Sequence, residues 1–175
     1  MSTRGELANW KEAVVQNLES LNPDSVSFIR AHRVRIGFWK QGTHTSAIWA
    51  PGNWILFNPQ YFSIHTETND ARLQSVLVHE VCHLKQGFFT ALSVYGELEA
   101  WQLGFQVYRH LTGLAYHPAL VELMSLPLSW DRQVLGRAQA LMQGYAGKKY
   151  RADLLPLYPI GREIQYRLGF LKNNG

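Results

Sequence analysis

Leu7, Trp10, Val14, Leu18 and Leu21 recur every three or four residues, the spacing that places side chains on one face of an α-helix. Pro23 follows, so the pattern predicts an opening amphipathic helix within 1–22 that ends near Asn22. From His32 the period changes. The runs "HRVRIGFW", "HTSAIWA" and "NWILFNP" are short, rich in β-branched and aromatic residues, and separated by the turn-like "KQGT" and "PGN". They predict a small three-stranded antiparallel sheet over 32–58. Helical spacing then returns: Leu73, Val76, Leu77 and Leu84 form an apolar stripe over 71–86, with Asn69 and Asp70 as capping residues before it and Gly87 as a stop after it. A second long helix is expected over about 91–112, ended by Gly113.

The remainder, 118–175, reads as mostly helical. "HPALVELMSL" is broken by Pro127, "SWDRQVLGRAQALMQGYAG" opens with a Ser129 cap, and "YPIGREIQYRLGFL" has Pro159 near its start. Nothing in the chain repeats, and no low-complexity linker divides it. The economical expectation is one α+β domain spanning 1–175, with strands near the front and helices elsewhere.

Composition narrows the class. The 175 residues are 46% hydrophobic and 17% charged, with 6 Trp, 8 Tyr and 8 Phe, which excludes a disordered chain. The formal charge of +4 permits an anionic partner, but the basic residues are scattered and their densest group, Lys148, Lys149 and Arg151, is short. Nucleic acid is therefore not the expected partner. The single Cys82 cannot form an internal disulfide, no signal-like segment opens the chain, and no apolar run is long enough to span a bilayer. These features point to a soluble cytoplasmic protein with no membrane association.

The candidate chemistry lies in "VLVHEVCHLKQG", residues 76 to 87. On a helix, positions i and i+4 share a face, so His79 and His83 can offer both imidazoles to one ion. Glu80 lies about 100° round from His79, where a carboxylate reaches a metal-bound water without being a ligand. With this composition, H-E-x-x-H is expected by chance about 0.01 times in the chain. Cys82 points elsewhere, about 80° from the direction the histidines share, and reads as a small buried hydrophobe. A third ligand is needed for a catalytic tetrahedral site. The next helix carries "YGELEAW", in which Glu97 and Glu99 diverge by about 200°, so at most one of them faces a given ion.

H-E-V-C-H on one helix and a glutamate in E-L-E-A-W on the next together resemble the gluzincin branch of the zincin metallopeptidases. The resemblance covers about residues 33–108. It implies a zincin-like fold in which a small sheet is followed by an active-site helix and a glutamate helix within 69–112. It also implies Zn2+ held by His79, His83 and Glu97, Glu80 as general base, and a peptide or protein substrate laid along an edge strand. "THTSAIWA" would be that edge and "NWILFNP" its inner neighbour. Trp101 stands where the resembled pattern has Asp. Tyr95, Tyr108 and His65 are candidates for stabilising the oxyanion. Two other readings fit the same residues: a latent or non-catalytic zinc-binding regulatory module, and a helical interaction domain without metal.

Overall fold

The Asp70 carboxylate accepts the backbone N–H of Leu73 at 2.8 Å, satisfying one of the orphan donors of a helix start, and so opens the helix on which the fold is organised. The computed structural model describes residues 3–147 and 150–170. Among them are three strands and eight helices, an α+β fold. The helix begun by Asp70 is α3 (Ala71–Gln86); before it come α1 (Thr3–Leu18), α2 (Pro23–Ala31), β1 (Arg35–Phe38), β2 (Ala47–Ala50) and β3 (Trp54–Phe57). After it follow α4 (Phe88–Ala91), α5 (Val94–Thr112), α6 (Pro118–Ser125), α7 (Arg132–Ala146), a 3-10 turn at Ala152–Leu154, and α8 (Ile160–Arg167).

The sheet corrects the sequence expectation. Its order is β1-β3-β2, with β2 antiparallel to β3 but β1 parallel to it, so the sheet is mixed and not antiparallel throughout. Loop length explains the difference. Gly52 and Asn53, both at positive φ, reverse the chain tightly between β2 and β3 and force those two together. The β1–β2 connection is too long for a tight hairpin and carries β2 to the far side of β3. Asn58 holds that connection by donating to the carbonyls of Gly42 at 3.1 Å and Thr45 at 2.8 Å. Among the described residues the outcome puts β3 in the centre and β2 at one edge of the sheet.

The chain gathers into two compact units, residues 1–85 with 103–114, and 86–102 with 115–175. Helix α5 runs unbroken through both sets of residues. In the first unit, Trp10, Val14 and Leu18 of α1 join Ile36, Ile55 and Phe57 of the sheet and Leu73, Leu77, Val78 and Val81 of α3 in one buried cluster. Burying each of the larger aliphatic side chains contributes about 1.5–3 kcal/mol. The Gln74 amide, itself fully buried, donates to Val14 O at 2.9 Å and Thr68 O at 2.6 Å and so fixes the rotation of α3 against α1. Helix α2 is a further difference, since Pro23 does not merely end α1: it occupies the first turn of a new helix capped by the Asn22 side chain, which accepts from Ser25 N at 2.9 Å.

In the second unit the expected Ser129 cap is replaced by Asp131, whose carboxylate accepts from the N–H groups of Gln133 and Val134. Gln102 donates to Leu123 O at 3.0 Å and Leu126 O at 2.8 Å, closing the end of α6. Burial raises the pKa of the Glu163 carboxyl, but hydrogen bonds from Arg132 and Arg167 outweigh it and leave the group below its ordinary value. Of the basic group at 148–151, Lys148 and Lys149 lie outside the described residues, and Arg151 pairs with Asp153 at 3.0 Å. No helix among the described residues is long and apolar enough to cross a membrane.

Candidate metal centre

Leu73, Leu77 and Val81 turn one face of α3 into the core, and this fixes where the polar positions between them point. His79 and His83 leave the helix on a shared face. Their rings meet edge to face with centroids 4.7 Å apart, and their Nε2 atoms lie 3.1 Å from each other. Ligands at about 2.0–2.1 Å from a tetrahedral zinc stand about 3.3 Å from one another. Two imidazole nitrogens at 3.1 Å therefore match one edge of such a site. His83 is buried, and the ring of Trp49, from the edge strand β2, lies 6.1 Å from it. Glu80 follows His79 directly in sequence and is 7% exposed. Cys82 is buried, as its position on the helix predicts.

The third candidate ligand arrives on α5. A Cβ at Gly104 would lie 3.0 Å from the backbone oxygen of Ser75 and 3.5 Å from His79 Cβ, so the α5 backbone rests directly on the turn of α3 that bears His79. Glu97 precedes Gly104 by seven residues, nearly two helical turns, and therefore shares its face. One nitrogen each from His79 and His83 and one carboxylate oxygen from Glu97 all lie within 4.8 Å of one another. Glu99 is turned elsewhere, where it accepts from Gln86 Nε2 at 2.9 Å. Replacing Gly104 with Val should push the two helices apart and lower stability by about 1–3 kcal/mol, read as a fall in melting temperature. An unchanged melting temperature would show that this close approach is not required.

The start of α5 is shaped to hold Glu97 in its first turn. Ser93, fully buried, accepts from Gly96 N through its hydroxyl at 3.1 Å and from Glu97 N through its carbonyl at 3.0 Å. A Cβ at Gly96 would fall 2.1 Å from Thr90 O, so the preceding turn closes over a position that only glycine fits. On its other side Glu97 meets a residue that sequence reasoning missed. The Tyr150 hydroxyl donates to Glu97 Oε2 at 2.5 Å. Tyr150 lies in a short aperiodic stretch far downstream, with no spacing that would single it out. Of the oxyanion candidates, Tyr95 is stacked on Trp130 at 4.0 Å, Tyr108 is partly buried and His65 is exposed.

Two neutral imidazoles and a carboxylate are a donor set that zinc takes in catalytic sites, with a fourth position left for water. The group could hold such an ion, and the same ligand types also admit other divalent metals. No protein-family model, no curated protein and no solved structure matches the chain.

Proposed function

We propose that the protein is a zinc-dependent metallopeptidase of gluzincin type. The observation that supports this reading is the convergence of His79, His83 and Glu97 within 4.8 Å, with the two Nε2 atoms at the spacing of a tetrahedral edge. Zinc bound there would polarise the scissile carbonyl and lower the pKa of its water towards about 7. Glu80 would take the proton from the attacking water and return it to the departing amine, a role open to a carboxylate one helical step from His79. Strand β2 contributes the substrate platform. It is an edge strand of the sheet among the described residues, and Trp49 on it stands beside His83, so an extended peptide added to that edge would pass the histidines.

Purified protein is expected to carry one equivalent of zinc per chain and to hydrolyse an unfolded protein substrate. A chelator should abolish hydrolysis and added zinc restore it. Elemental analysis that finds no stoichiometric divalent metal, after expression with zinc supplied, would end the proposal.

A further inference from the structure

The Trp101 indole N–H donates to the Tyr150 hydroxyl oxygen at 2.8 Å, and that hydroxyl donates to Glu97 Oε2 at 2.5 Å. Chemistry fixes the direction of both bonds. An indole N–H can only donate and an ionised carboxylate can only accept, so the phenol between them must accept from one and donate to the other. Glu97 and Trp101 are four residues apart on α5 and share a face, which lets a single hydroxyl reach both. The rings of Trp101 and Tyr150 meet edge to face at 5.3 Å, which holds the phenol in place without any contribution from Glu97. Trp101 is 8% exposed and both bonds are partly buried, where each bond polarises the next.

We infer that Tyr150 is the positioning residue for the metal site: its hydroxyl, oriented by Trp101, holds the Glu97 carboxylate so that it presents one oxygen to the ion. This rests on the proposed metal site and assigns a role to the stretch after α7. It also gives Trp101, the departure from the resembled pattern, a function through a partner far away in the chain. Outer partners of this kind orient a ligand before the metal arrives, and their loss typically weakens metal binding about 10–100-fold.

The test uses the full chain stripped of metal. Zinc affinity is measured by competition with a chromophoric chelator, and cobalt is added as a spectroscopic substitute. Tyr150→Phe keeps the ring and removes only the hydroxyl; it should weaken zinc binding about 10-fold or more. Without the phenol, Glu97 is expected to bind through both oxygens, raising the coordination number and weakening the visible absorption of bound cobalt. Trp101→Phe should produce the same changes to a smaller degree. It keeps the inference testable if the first variant does not fold. Because Trp101 acts through Tyr150, the double variant should bind no more weakly than Tyr150→Phe alone. Wild-type affinity and an unaltered cobalt spectrum in Tyr150→Phe would overturn the inference while leaving the metal site standing. A wild-type chain that takes up no stoichiometric metal would overturn both. Weaker binding with an unchanged cobalt spectrum would mark Tyr150 as merely structural and overturn its positioning role.

Discussion

Glu80→Gln is expected to keep its metal and to lose roughly 10²–10⁴-fold in kcat for peptide hydrolysis, the usual range for removing a general base. The amide has nearly the shape of the carboxylate, so the helix and its two histidines should stay where they are. It can still form a hydrogen bond to water, but it cannot accept a proton from it. Glu80 is 7% exposed, so a thermal melt of the variant shows whether the fold is kept when the carboxylate becomes an amide. Three measurements on one preparation therefore separate the possibilities: metal content unchanged, a cooperative thermal transition retained, hydrolysis lost. Hydrolysis at the wild-type rate would remove Glu80 as the base. Loss of metal together with activity would instead make it a contributor to binding.

The parts of this site that could be read from the sequence are those set by one helix alone. The bounds of α3 agree with the expectation because its signals are local: a capping Asp70, apolar residues at helical intervals, and a glycine at positive φ just beyond the end. His79 and His83 share a face for the same reason. Pairing between strands is not local. The β-branched and aromatic residues of "HRVRIGFW" and "NWILFNP" mark strands but say nothing about which becomes the neighbour of which, and the long β1–β2 connection made β1 a parallel partner of β3. Pro23 was ambiguous in a different way, since the same residue closes one helix and opens another; only the Asn22 side chain, bonded to Ser25 N, settles it. The angle between Glu97 and Glu99 limited the third ligand to one of them but could not choose. Gly104, whose missing side chain sets which face of α5 lies on His79, favours Glu97 as the candidate, and only Glu97 falls within the group that could hold an ion. Tyr150 was illegible because its position on Glu97 depends on a tertiary contact across 53 residues.

His79→Ala and His83→Ala should both abolish metal binding yet differ in the stability of the metal-free protein, because the two histidines are buried to different extents. His79 is half-buried, and trimming it to Ala removes a candidate ligand with a smaller loss of packing than at His83. His83 is 2% exposed and stands beside Trp49, so the same change also leaves a gap under the edge strand and should cost about 1–3 kcal/mol without any metal present. If wild-type protein binds zinc in the folded state alone, zinc at about a thousandfold excess over its Kd should add about 4 kcal/mol to stability. For a chain of this size that is a rise of roughly 10 °C in melting temperature. Neither variant should show it. Thermal melts with and without zinc thus yield two independent readings: the zinc-dependent rise reports the ligand set, and the difference between the metal-free variants reports the packing of His83. A His79→Ala protein that still gains the wild-type rise on adding zinc would mean that the ion sits elsewhere. The convergence of His79, His83 and Glu97 would then have to be explained as a hydrogen-bonded cluster with no metal in it.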